Sequence, residues 1–195
     1  MNAAPTRAVF LDRDGTINVD VGWCGNPDLL ELFEGAAEAV ARINALGLLA
    51  IVVTNQSAVA RGMFPEETVH VVNSALAGLV QGVSGARIDA FYHCPHHPTE
   101  GTDPALTRQC DCRKPMPGML LRAASDHGIE LGASFMVGDS DRDHLAAKAA
   151  NPGIVTFGVP GSENTGAAEH QVTNLLAAVE RIEEILNGAS PGSLS

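Results

Sequence analysis

The chain has 195 residues, 45% of them hydrophobic and 18% charged, with a formal net charge of −11 at pH 7. That length and apolar content suit one compact domain with a sizeable core. The negative balance argues against a binder of nucleic-acid backbones, which needs a basic stripe, and no uninterrupted apolar run reaches the roughly 18 residues of a membrane span.

Residues 1–7 are polar and lead straight into Ala8-Val9-Phe10-Leu11. A secretory signal needs a basic start and a longer apolar stretch, so a cytoplasmic location is expected. The run 8–11 predicts a first strand that ends in a charged loop. Ala36, Val40, Ile43 and Leu46 recur at helical spacing over 35–46, with Gly47 as a stop. The continuous apolar run 48–53 predicts a strand buried on both faces. Pro65 opens the next helix, with Glu66 and Glu67 in its first turn and Val69, Val72, Leu76 and Leu79 as the expected buried stripe.

Residues 88–92 read as a third strand, followed by the Pro- and Gly-rich stretch 94–115. A helix is predicted from Pro117 to about His127, stopped by Gly128. A fourth strand is predicted over 135–137, a helix over 141–150 and a fifth strand over 154–157. A last helix carries Leu175, Val179, Ile182 and Leu186, and 188–195 is expected to be a disordered tail. The β-α alternation implies a mostly parallel sheet of five or six strands with helices on both faces. Ligands of such folds sit beyond the carboxyl ends of the strands.

Polar clusters fall at those ends. Asp12-Arg13-Asp14-Gly15-Thr16 follows the first strand, and two carboxylates so spaced can divide attack from proton handling. Amides near Gly15 can form a nest for phosphate oxygens. Thr54-Asn55-Gln56-Ser57 follows the second strand and brings a hydroxyl that can donate to a phosphoryl oxygen. In Arg113-Lys114-Pro115, Lys114 can offset charge on carboxylate and phosphoryl group, and Arg113 can bind phosphate bidentately. Gly138-Asp139-Ser140-Asp141-Arg142-Asp143 adds carboxylates that, with Asp12, would make a hard oxygen site for Mg²⁺. Asp141 is expected to cap the following helix, and Asp143 to orient Lys114 or support the metal shell.

Three of the four cysteines fall in one short stretch. Cys94-Pro95-His96 is separated by thirteen residues from Cys110-Asp111-Cys112. Two chelating pairs on a loop of little apolar content could close a tetrahedral Cys₃His zinc site, with His96 or His97 as the nitrogen ligand. Cys24 stands apart as a free thiol. Spacing also limits the architecture: 41 residues separate Asp12 from Thr54 and 59 separate Thr54 from Lys114. Neither interval holds a large cap domain, so an open site is expected, walled by the metal loop and by residues 17–26.

Taken together, these segments resemble the haloacid dehalogenase-like (HAD) superfamily over nearly the whole chain. The resemblance implies a Rossmannoid three-layer α/β sandwich, as one domain over 1–187 with a zinc loop at 94–112. It also implies a phosphoric monoester hydrolase. Asp12 resembles the nucleophile that forms an aspartyl-phosphate, and Asp14 the general acid that later activates water. Thr54 and Lys114 resemble the phosphoryl stabilisers. Asp12, the Asp14 backbone carbonyl and Asp139 resemble the Mg²⁺ ligands. The family pattern Cys-x-His favours His96 beside Cys94, Cys110 and Cys112 for structural zinc.

Within the superfamily, Asp12 to Asp20, Thr54 to Ser57, Cys94-Pro95-His96-His97-Pro98 and Cys110 to Pro115 are similar to the branch acting on a heptose bisphosphate. By that likeness Arg13, Asp20, Val21, Gly22, Trp23, Thr54, Asn55, Gln56, Ser57, Arg113 and Lys114 join Asp12 and Asp14 around a small phosphorylated sugar. Histidinol-phosphate phosphatases are the runner-up, and a non-catalytic zinc-bearing scaffold is the remote one. Three positions depart from the pattern: Ser140 where many members carry Lys, Ala58 for Gly, and Trp23 for Tyr. A monomer without nucleic-acid or membrane partners is the default expectation.

Overall fold

The computed structural model describes residues 5–161 and 164–188. Most of the tail expected at 188–195 therefore lies outside the described residues, as does the start of the polar segment 1–7.

The strands β1 (Ala8–Leu11), β2 (Leu49–Asn55), β3 (Ala90–Cys94), β4 (Phe135–Gly138), β5 (Val155–Gly158) and β6 (His170–Gln171) form one sheet in the order β3-β2-β1-β4-β5-β6. Every neighbouring pair is parallel. The helices are α1 (Ala36–Ala45), α2 (Glu66–Ser84), α3 (Gly118–His127), α4 (Asp141–Ala150) and α5 (Leu175–Leu186). This is the expected three-layer sandwich, and no cap domain interrupts it among the described residues.

Two apolar cores explain why the central strands read as unbroken apolar runs. On one face, Val9, Leu11, Ala50 and Val52 pack with Val40 and Ile43 of α1, Leu76 and Val80 of α2, and Val179 and Ile182 of α5. On the other, Ala8, Phe10, Ile51 and Val53 pack with Met119 and Leu120 of α3 and Ala146 and Ala147 of α4. Side chains of a strand alternate between faces, so a strand covered on both sides needs apolar residues at every position.

Three expectations are corrected. Leu79 is 40% exposed, and Val80 takes its place in the buried stripe of α2. At about 100° per residue Leu79 and Val80 flank the line of Val69, Val72 and Leu76 on opposite sides, and it is Val80 whose side packs into the core with α1. The third strand is shifted two residues on, to Ala90–Cys94. Asp89 instead exchanges bonds with Ala50, its N–H donating to Ala50 O at 2.8 Å and its carboxylate accepting from Ala50 N at 2.9 Å. The strand then runs into His93 and Cys94, residues that a search for apolar runs passes over. Finally, Ser140 rather than Asp141 caps α4, in a capping box completed by Asp143. Asp141 accepts from Ala167 N at 2.7 Å and Asn164 Nδ2 at 2.9 Å, bracing the 164–167 loop.

Candidate active site

Parallel register brings the polar clusters together. Leu11 aligns with Val52 on one side and Val137 on the other, so the residues after β1, β2 and β4 emerge side by side. They line a cavity of about 250 Å³ with Asp12, Asp14, Thr54, Lys114, Asp139 and Arg113 among its walls.

Lys114 is the hub. Its ammonium is buried and donates to Asp12 Oδ1 and to Val53 O, both at 2.7 Å, and pairs with Asp143 Oδ1 at 2.5 Å. Burial alone would lower its pKa, but Asp12 and Asp143 outweigh this and the net shift is upward. The backbone of Lys114 is fixed as firmly. Asn55 at the end of β2 accepts from Lys114 N at 3.0 Å and donates to Lys114 O at 3.1 Å.

The carboxylates outnumber this cation. Asp12, Asp139 and Asp143 each place an oxygen within 4.8 Å of the others. Burial raises Asp12 to about 6, with Lys114 opposing and Asp143 adding to the rise. Burial and repulsion from Asp12 raise Asp139 to about 7. Gly15 and Gly161 close over Asp139; a Cβ on either would run into its carboxylate, and Gly15 also has φ +86°. When all three are ionised the carboxylates exceed the one ammonium by two charges, which a bound cation would offset, and an all-oxygen donor set suits a hard ion such as Mg²⁺. Asp143 is engaged by Lys114 and by Ser140 N, which leaves Asp12 and Asp139 as the side chains available to such an ion.

Asp14 is fixed by donors from three directions: Arg13 Nη2 at 2.7 Å, Asn18 Nδ2 at 3.0 Å and Gln56 Nε2 at 3.0 Å. Gln56 also donates to Thr54 Oγ1 at 2.9 Å, linking two predicted residues. Arg13 itself is fully buried, spent on Asp14 and on Asn73, so its side chain is not part of the cavity wall. Val21 also falls outside the lining, whereas Asp20, Gly22, Trp23, Asn55, Gln56 and Ser57 belong to it. Trp23 lies under the Arg61 guanidinium, 5.6 Å from the ring centroid, and Arg61 pairs with Glu100 at 2.5 Å. One arginine thus ties the 17–26 wall to the 94–112 wall. Sequence reasoning passed over Arg61, and also Arg142, which lines the cavity beside Ser140.

The second cluster adjoins the first because Cys94 aligns with Asn55 across β2 and β3. The Cys112 Sγ lies 3.1 Å from Cys94 Sγ, 3.4 Å from Cys110 Sγ and 3.3 Å from His96 Nδ1, and Cys94 Sγ lies 3.6 Å from Cys110 Sγ. Zinc with bonds of about 2.0–2.3 Å sits in a tetrahedron whose edges are about 3.4–3.8 Å, so this group could hold zinc with small adjustment. All four cysteines are unbridged. His97, the rival ligand, is turned away, its Nδ1 accepting from Glu100 N at 2.8 Å. The hydrogen bond between Cys94 and Cys112 pulls the Cys112 thiol down, with burial opposing, and the same contact together with burial pushes the Cys94 thiol up.

Parallel-sheet fold, carboxylate pocket and buried lysine together define a phosphotransfer site of the HAD class, and a family model described as HAD-hydrolase-like matches residues 111–180. A D-glycero-β-D-manno-heptose-1,7-bisphosphate 7-phosphatase of Yersinia pestis is 41% identical over 87% of this chain and 91% of its own length. One from Pasteurella multocida (strain Pm70) is 38% identical over 93% and 97%. The crystal structure of D,D-heptose 1,7-bisphosphate phosphatase from B. bronchiseptica, complexed with magnesium and phosphate, has a TM-score of 0.76. It is 29% identical and covers 92% of this chain and 99% of that one. The chain belongs to this family of HAD-type phosphatases, and is a phosphoric monoester hydrolase.

Proposed function

We propose that the chain hydrolyses the 7-phosphate of D-glycero-D-manno-heptose 1,7-bisphosphate, leaving heptose 1-phosphate, as a step in making nucleotide-activated heptose. The observation that carries the reading is the Lys114 hub, which ties one oxygen of Asp12 while the carboxylate still faces the cavity.

In this reading Asp12 Oδ2 attacks phosphorus. The ester oxygen leaves as the sugar hydroxyl, taking a proton from Asp14, and an aspartyl-phosphate forms on Asp12. Asp14 then takes a proton from water, whose oxygen attacks the phosphoryl group, releasing inorganic phosphate and free Asp12. Lys114 and Thr54 stabilise the phosphoryl oxygens, and catalysis is mostly positioning and charge stabilisation. Asp12, Asp139 and the Asp14 carbonyl would hold Mg²⁺, which when bound neutralises charge on the phosphoryl group. Zinc on Cys94, His96, Cys110 and Cys112 would order the loop that presents Arg113 and Lys114.

A bisphosphate is supported by a second pair of cations. Arg113 and Arg142 line the same cavity, and repulsion from Arg142 joins burial in lowering Arg113. A doubly charged anion between two guanidiniums relieves that repulsion. Arg142 would therefore stand in for the lysine that Ser140 replaces. Asp20, Asn55 and Ser57 offer polar groups to the sugar hydroxyls.

We also take residues 1–187 as one catalytic domain, active as a monomer. No described helix is long and apolar enough to cross a membrane, and unbridged metal-type thiols suit the reducing cytoplasm, where we place the enzyme.

Phosphorus NMR of the product is the test. Retention of the anomeric phosphate, dependence on added Mg²⁺, and a larger rise in KM for the bisphosphate than for a heptose 7-phosphate in Arg113→Ala and Arg142→Ala are expected. A product keeping its 7-phosphate, or faster turnover of histidinol phosphate, would overturn the substrate assignment.

A further inference from the structure

A third cluster of metal-type side chains lies outside both sites. The start of α2 carries Glu66 and His70 at i and i+4, one turn apart, which brings them onto one face of the helix. On β3, Phe91 joins the core under α1, α2 and α5, whereas Tyr92 and Cys94 join the core under α3 and α4. Strand alternation therefore turns His93 toward α2, away from the face that takes Cys94. His93 Nε2 lies 2.7 Å from Glu66 Oε1, and the His70 and His93 rings meet edge to face with centroids 5.1 Å apart. One donor atom from each of the three residues falls within 4.8 Å of the others.

The group opens into a cavity of about 720 Å³ at the edge of the sheet. β3 is the edge strand, so among the described residues no further strand blocks the approach. Two ligands bonded to one zinc-sized ion at about 2.0–2.1 Å stand roughly 3.3 Å apart. Glu66 and His93 are already inside that separation. His70 is exposed on the helix surface and can turn inward to complete the set.

We propose that Glu66, His70 and His93 form a second, exchangeable site for a borderline divalent transition ion such as Zn²⁺, Co²⁺ or Ni²⁺. Two imidazoles and one carboxylate favour such ions over Mg²⁺. Three protein ligands leave a coordination position to water, so the ion exchanges, unlike one enclosed by three thiolates and an imidazole. Its physical effect is to clip the start of α2 to the edge strand, next to the loop that precedes the helix. The inference concerns residues outside the phosphatase pocket and stands apart from the substrate assignment.

Untagged, zinc-loaded protein titrated with Co²⁺ tests it. One equivalent of Co²⁺ is expected to bind with d–d absorption and without thiolate-to-cobalt charge transfer, in the presence of excess Mg²⁺. His70→Ala, at an exposed position, and His93→Gln should each weaken that binding by at least about tenfold with circular dichroism unchanged. Absence of the extra equivalent, its persistence in both variants, or its arrival with charge-transfer bands that report the cysteines would overturn the proposal.

Discussion

The carboxylate pocket and the thiol cluster adjoin, yet they are built on opposite principles. Pocket residues come from strand ends far apart in the chain: Lys114 meets Asp12 across 102 positions and Val53 across 61. The two apolar cores set those strand ends, and the pocket adds buried like charges whose carboxyl pKa values are pushed upward. The thiol cluster is local, with all four groups inside residues 94–112, on a loop whose tip from Thr99 to Ala105 is exposed. One region spends stability on charge for chemistry. The other would gain order from a metal and pass it to Arg113 and Lys114, the residues that follow Cys112.

That contrast predicts opposite responses to substitution. The largest effect should come from Asp12→Asn. We expect turnover to fall by at least about 10³-fold, since the proposed nucleophile is lost. The melting temperature should stay within a few degrees, because Lys114 keeps Asp143 and one repulsive charge is gone. Steady-state phosphate release with calorimetry on the same sample checks both halves; retained turnover would break the covalent reading.

Cys110→Ser should do the reverse. We expect loss of bound zinc and a melting temperature lower by about 10 °C, as removal of a structural metal costs several kcal/mol and each kcal/mol shifts a domain of this size by about 2–4 °C. Turnover should fall less than in Asp12→Asn and should not return on adding Mg²⁺. Full zinc content with native melting would end the assignment of order to this cluster.

A smaller effect separates the acid response of the fold from that of either cluster. His144 on α4 is fully buried, and neither ring nitrogen finds a partner among the described residues. Burial lowers its pKa to about 4, with Asp141 opposing and Lys114 reinforcing. The unfolded chain takes up this proton near pH 6.5, while the folded chain resists until about 4. Stability should therefore fall as pH drops through that window, by about 3 kcal/mol in total from this residue. In His144→Leu the dependence should flatten. Urea unfolding between pH 4 and 7 measures it, and an unchanged slope would return the acid response to the carboxylates.

Much of the phosphotransfer site was legible because its chemistry is written in contiguous motifs. Asp12 and Asp14, Thr54 to Ser57, Cys110 to Lys114, and Asp139 to Asp143 each sit just past an apolar run or a loop of metal-type residues. Strand ends in a parallel sheet converge, so reading the runs was enough to bring the motifs together. Residues acting alone were not legible. Arg61 has no motif around it, and its link between Trp23 and Glu100 exists only once two distant loops face each other. Arg13 shows the converse: it sits inside a motif, yet its side chain turns inward to Asp14 and Asn73.

The sequence by itself determined the alternation of strands and helices, since period and apolar runs are local properties of the chain. It also determined the donor types, hard oxygen at one cluster and thiol with imidazole at the other. Tertiary structure decided the sixth strand, a two-residue pairing that no hydropathy pattern announces. It set which imidazole faces the sulfurs, since the loop directs His96 to them and His97 to its own backbone. It also brought Glu66 and His70 against His93, a meeting of helix and edge strand that depends on which face of β3 turns toward α2.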